Sequence, residues 1–199
     1  MRLLDAFNLA FADILFADEL IERGTMGESF AVLGKCEAFF LDAVPSEMIA
    51  EAPAVSAPNA NSIRQYLDAP RLREADAREL AAWLDASIPS PPVSGCERCD
   101  GEGCEPTDDN PGCAWTAWHA PVVVSIYGQN VNVDRTLAAI PFLECGGRIQ
   151  AGVYDGALIV KGDGWTWVLM GVGKGTPTRF WPETDPVRAA APVVPKVLS

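Results

Sequence analysis

Four of the six cysteines and the single histidine fall within 24 residues. They stand in Cys96-Glu-Arg-Cys99-Asp-Gly101-Glu-Gly103-Cys104, followed by Cys113 and His119. Two thiols three positions apart can grip one tetrahedral ion, at about 2.3 Å per zinc–sulfur bond. Gly101 and Gly103 let the backbone take left-handed angles, so the loop can turn back and present further ligands. The expectation is a structural Zn2+ site on Cys96, Cys99, Cys104 and Cys113, spaced C-x2-C-x4-C-x8-C. His119 is the alternative ligand, replacing Cys104 or Cys113, because neutral imidazole also suits zinc. A closed, sulfur-rich site staples a loop and leaves no open position for a substrate.

Other chemistry is poorly supported by the residues. A zinc deaminase pairs its Cys-x-x-Cys with His-x-Glu, whereas His119 is followed by Ala120 and Pro121. Gly171-Val-Gly-Lys174-Gly-Thr176 is similar to a phosphate loop, but Val168 stands where the first glycine belongs. Pro177 then opposes the helix whose N-terminus would hold phosphate. A nucleophile–histidine engine would have to use His119, and no carboxylate pair is singled out by its spacing. The acids at 5, 13, 18, 19 and 22 read as a solvated face.

The elements that would carry the cysteine loop divide into a helical front and a stranded back, an α+β arrangement. Residues 3–22 have helical apolar spacing, with Leu4, Phe7, Phe11, Ile14 and Leu15, and Gly24 ends the run. Ser29–Leu33 and Cys36–Val44 flank Gly34-Lys35 as a β-hairpin, with Cys36 as a small core residue. A short helix is expected after Pro45, capped by Ser46. Residues 52–61 read as a loop. Ser62–Asp68 and Leu72–Ser87 read as helices, the second with Leu80, Trp83, Leu84 and Ile88 on one stripe. Prolines at 89, 91 and 92 deliver the chain, extended, to the cysteines.

Beyond the cysteines, Pro121–Ile126 and Val131–Val133 read as strands around Gly128-Gln-Asn130, and Asp134–Phe142 as a short helix. Arg148–Tyr154, Ala157–Lys161 and Trp165–Val172 follow as strands joined by Asp155-Gly156 and Gly162-Asp-Gly164. Trp165, Trp167 and Leu169 alternate with Thr166, Val168 and Met170, so this strand is expected to be covered on both faces. The boundaries are then 1–51 for a helix and hairpin, 52–90 for a linker and helical segment, and 91–120 for the zinc loop. A βαβββ unit takes 121–175, and 176–199 is a Pro/Ala-rich tail.

Two resemblances attach to these stretches. Cys96-Glu-Arg-Cys99-Asp-Gly101-Glu-Gly103 resembles the CxxCxGxG repeat of the zinc-binding region of DnaJ-type chaperones. The motif occurs once and no His-Pro-Asp signature accompanies it, so co-chaperone activity is not implied. Residues 131–172, opening Val131-Asn-Val-Asp-Arg-Thr-Leu137 and ending Gly164-Trp-Thr-Trp-Val-Leu-Met170, resemble the last βαβββ unit of a bacterial DNA sliding clamp. The Met-Pro pair that closes that strand in clamps is Met170-Gly171 here. The combination resembles small accessory proteins of bacteriophages.

The net charge is −12, and residues 91–120 alone hold six acids and one base. Nucleic-acid affinity comes largely from cations on phosphates, so direct contact with DNA or RNA is not expected. No run of about 20 apolar residues proposes a membrane span. Acids interrupt the N-terminal apolar stretch, which argues against a secretory leader and for a reducing cytoplasm, the host's if the protein belongs to a phage. The leading expectation is a non-enzymatic, zinc-stapled accessory protein binding a host or phage protein. An acidic decoy of a host nucleic-acid enzyme is one alternative. A small zinc hydrolase is the other. Trp115, Trp118, Trp165 and Trp167 either fill the core or form a protein-binding patch.

Overall fold

The computed structural model describes residues 5–6, 20–42, 52–92, 96, 99, 103–104, 112–114, 120–172 and 175–182. Among them, mixed helices and mainly antiparallel sheets give an α+β fold rich in strands. The strands are β1 (Leu20–Met26), β2 (Ser29–Gly34), β3 (Glu37–Leu41), β4 (Arg73–Asp76) and β5 (Val123–Ile126). Then come β6 (Gln129–Asn132), β7 (Arg148–Tyr154), β8 (Ala157–Gly162), β9 (Trp165–Met170) and β10 (Phe180–Trp181). Helix α1 spans Ala57–Leu67, α2 Ala77–Asp85 and α3 Ile140–Glu144, the last continuing a 3-10 turn over Val133–Ala139.

One seven-stranded sheet runs β1-β2-β3-β9-β8-β7-β4, and a three-stranded sheet runs β10-β5-β6. The N-terminal hairpin therefore joins the C-terminal meander directly: Phe39 lies opposite Trp167 in the β3–β9 register. The strands after 120 are shared between the two sheets, β5 and β6 in the small one and β7–β9 in the large one.

The two-residue alternation along the large sheet sorts its side chains into two cores. On one face Phe39, Leu41, Trp165, Trp167 and Leu169 pack against α2, α3 and the inner side of the small sheet. Phe142 stacks on Phe39 with ring centroids 5.0 Å apart and meets Trp165 at 5.6 Å. On the other face Ala31, Leu33, Ala38, Phe40, Ile159 and Val168 pack against α1. Trp165 and Trp167 thus belong to the core, and β9 is covered on both sides as its pattern implies.

Several expected elements change. Leu20, Ile21 and Glu22 open β1 instead of ending a helix, and Gly24 sits inside the strand. The chain runs so close there that a Cβ on Gly24 would lie 2.2 Å from the Pro53 carbonyl oxygen. The Thr25 amide donates to that oxygen at 2.8 Å, and Val55 returns a bond to Thr25 at 2.9 Å. The expected helix over 3–19 falls outside the described residues, except that 5–6 are helical. The short helix after Pro45 also falls outside them.

Helix α1 begins at Ala57, five residues before the expected start, because Pro58 sits in the first turn, where its missing N–H costs nothing. Glu22 anchors this end. Its carboxylate accepts the Ser56 amide at 2.8 Å, the Ser56 hydroxyl at 2.9 Å and Asn59 Nδ2 at 2.6 Å. The Asn59 bond, then those of Ser56, hold its pKa below the ordinary carboxyl value. Glu22 is therefore a tie between β1 and α1, not part of a merely solvated face.

The expected helix over 72–87 starts only at Ala77. Arg73–Asp76 form the edge strand β4 against β7, with Ala75 opposite Ile149. Asp76 ends the strand and caps α2, accepting from the Arg78 and Glu79 amides. The turn between β5 and β6 is tighter than expected, at Tyr127-Gly128, with φ of 50° and 90°. The tail is docked through its first residues: β10 adds to β5 in parallel, Phe180 opposite Ser125. Residues 183–199 lie outside the description.

Candidate metal centre

The structure brings Cys96, Cys99, Cys104 and Cys113 together, with all four Sγ atoms within 4.8 Å of one another. Cys96 Sγ lies 3.6 Å from Cys104 Sγ, and Cys99 Sγ lies 3.7 Å from Cys113 Sγ. Four sulfurs held about 2.3 Å from one central ion stand about 3.8 Å apart along a tetrahedron's edges. The observed spacings match that figure. They are far beyond the about 2.05 Å of a disulfide, and all six cysteines are free thiols.

The local backbone explains how so short a stretch converges. Cys96 and Cys99 form one turn, the Cys99 amide donating to the Cys96 carbonyl at 3.3 Å. The other two ligands each follow a glycine in the left-handed region, Gly103 at φ 89° and Gly112 at φ 96°. A side chain at either position would be strained, so these glycines aim the next thiol inward. Gly101, also expected to help, lies outside the described residues. The loop's two ends are fastened to one core, since Ile88 before it and Val122 after it both pack against the large cluster.

The crowded thiols oppose each other's ionisation. The Cys104 thiol is pushed up to about 12, first by its hydrogen bond with Cys96, then by burial and by Cys113 and Cys99. A bound cation reverses that balance, because a coordinating thiol is deprotonated outright. The cluster fits a soft divalent ion in tetrahedral sulfur coordination.

The other two cysteines stand apart from this group. Cys36 is exposed in the turn between β2 and β3, correcting the expectation of a core residue. It precedes the strand, and only from Glu37 onward do side chains enter the sheet. Cys145 is partly buried and its thiol donates to the Pro141 carbonyl at 3.5 Å. His119, the alternative ligand, lies outside the described residues, as do Trp115, Trp118 and Lys174.

One chemically notable group was not singled out by spacing. Glu37 opens β3 on the face of Phe39 and Leu41 and is only 8% exposed. It accepts one hydrogen bond, from Trp167 Nε1 at 3.3 Å. Burial, only partly opposed by that bond, raises its pKa to about 7. The signal was present: in Glu-Ala-Phe-Phe-Leu, alternation puts Glu37 on the side of Phe39.

Among the described residues, no helix is long and apolar enough to cross a membrane. Compared with known proteins, the chain matches no family model, no curated protein and no solved structure.

Proposed function

We propose that the protein is a zinc-stapled protein-binding accessory protein in which the metal holds a loop and performs no turnover. The convergence of four sulfur atoms within 4.8 Å carries this reading. A Zn2+ ion bound by Cys96, Cys99, Cys104 and Cys113 has its tetrahedral positions filled by protein. Such an ion has no place for a reactive water, unlike a catalytic site with three protein ligands. Its role is then mechanical. It closes the excursion between Ile88 and Val122, both seated on the same core, and fixes the shape that the loop presents.

Metal analysis of protein purified without added zinc tests this directly. The expected result is one zinc per chain and four thiols that resist a thiol reagent until a chelator is added. Cobalt substitution should give the absorption of a four-sulfur tetrahedral site. Cys36, exposed in the turn between β2 and β3, serves as the fast-reacting internal control, while burial raises the Cys145 thiol pKa and slows that residue without any metal. An exchangeable water on the metal, or hydrolytic turnover dependent on it, would refute the reading.

A further inference from the structure

The four thiols of the metal centre divide by how the chain holds them. Cys96 and Cys99 belong to one turn, closed by the Cys99 amide on the Cys96 carbonyl at 3.3 Å, and no glycine separates them. Cys104 and Cys113 each follow a glycine in the left-handed region, Gly103 at φ 89° and Gly112 at φ 96°. Glycine rotates at the least steric cost, so these two cysteines can be displaced while the turn keeps its form. Each sulfur of the turn touches one glycine-hinged sulfur: Cys96 Sγ meets Cys104 Sγ at 3.6 Å, and Cys99 Sγ meets Cys113 Sγ at 3.7 Å. A disulfide measures about 2.05 Å, so each contact has to close by only about 1.6 Å.

Thiolates gathered by a cation can still be oxidised, and oxidation of a pair removes the ligands and with them the ion. All four cysteines are half-buried rather than sealed in the core, so a small oxidant reaches them. The surroundings decide which oxidant. Residues 91–120 hold six acids and one base, and thiolates that outnumber the charge of a divalent ion add further negative charge. An anionic disulfide is repelled from such a loop, whereas a neutral peroxide is not.

We propose that the centre is a peroxide-sensitive switch in which the metal staple is exchanged for two crossed disulfides, Cys96–Cys104 and Cys99–Cys113. In each pair one thiolate attacks a peroxide oxygen, the O–O bond breaks and hydroxide leaves. The partner thiolate then attacks the sulfenic sulfur, the S–S bond forms and a second hydroxide leaves. Each pair gives up two electrons, and one peroxide with two protons from solvent becomes two waters. Two peroxides oxidise all four sulfurs, so the released ion keeps its charge. Four cysteines allow three connectivities. One of the others closes the glycine-free turn on itself, and the last separates both contacting pairs. The loop stays closed in either state but changes shape, because four sulfurs round one ion become two separate bonds. The inference rests on the stapled-loop reading, in which that shape is what the protein presents.

The test uses the full-length, zinc-loaded Cys36→Ser/Cys145→Ser chain, whose only thiols are those of the centre, with the wild-type chain mapped in parallel. Circular dichroism and zinc content establish that the variant matches its parent. Hydrogen peroxide is added at neutral pH and low salt, zinc release is followed with a chromogenic chelator, and linkages are read by non-reducing peptide mass spectrometry. The expected result is one zinc released for two peroxides consumed. The product should be a monomer, four hydrogen atoms lighter than the reduced metal-free chain, with Cys96–Cys104 and Cys99–Cys113 linkages. A dithiol reductant and zinc should restore the starting state. Glutathione disulfide at equal concentration should release zinc about tenfold more slowly, and added salt should narrow that gap.

Zinc retained in excess peroxide, a Cys96–Cys99 or Cys96–Cys113 bond, sulfinic acid in place of disulfides, or cross-linked dimers would each overturn the proposal. Glutathione disulfide acting as fast as peroxide would overturn its choice of oxidant. Zinc content before oxidation separates the two readings. If zinc is bound but these disulfides do not form, the switch falls and the staple stands. If the purified chain binds no zinc, the staple falls and takes the switch with it.

Discussion

Replacing Glu37 by glutamine should stabilise the protein in alkaline solution and leave it nearly unchanged in acid. The folded carboxyl titrates at about 7, raised by burial from an ordinary value of 4.5. Below pH 4.5 it is protonated in both the folded and unfolded states and contributes no penalty. Between 4.5 and 7 the folded state binds the extra proton, so stability falls as pH rises through this window. Above 7 the loss is complete, and ionisation must occur at a site 8% exposed. A 2.5-unit gap between 4.5 and about 7, at about 1.36 kcal/mol per unit, corresponds to about 3 kcal/mol. Glutamine keeps an acceptor for the Trp167 indole and removes the charge. For a chain of this size that gain is a rise in melting temperature of about 6–12 °C. The assay is urea unfolding of both proteins at pH 4.5, 6, 7 and 8.5, reading the difference at each pH so that other titrating groups cancel. A difference that stays constant across this range, or a wild type more stable at pH 8.5, would show that Glu37 does not enter the fold protonated.

Further predictions concern the staple and the joints of the scaffold. Cys99→Ser should release the metal and lower the melting temperature, because structural zinc contributes directly to folding; Cys36→Ser should leave metal content unchanged, and mass spectrometry under native conditions reads both. Asp76→Ala removes the acceptor of the Arg78 and Glu79 amides, at 2.9 and 3.1 Å, and should cost about 1 kcal/mol in chemical denaturation. Gly24→Ala places a methyl 2.2 Å from the Pro53 carbonyl oxygen. It should cost about 1–3 kcal/mol and speed hydrogen exchange at the Thr25 and Val55 amides, which cross that joint.

The sequence determined the local features of this protein. Cysteine spacing named the four thiols that converge, because ligand geometry is written in types and intervals. Asp155-Gly156 and the alternation around Trp165 and Trp167 specified the C-terminal hairpins, because turn chemistry and a period of two are local properties. Tertiary structure decided what depends on partners far along the chain. Leu20–Glu22 became a strand because β2 lies beside it, and Arg73–Asp76 became an edge strand because β7 offers unpaired backbone groups. Neither segment has a local pattern strong enough to resist its neighbour. The burial of Glu37 is decided in the same way: alternation gives its side, but only the packing of Trp167 across the β3–β9 register makes that side dry.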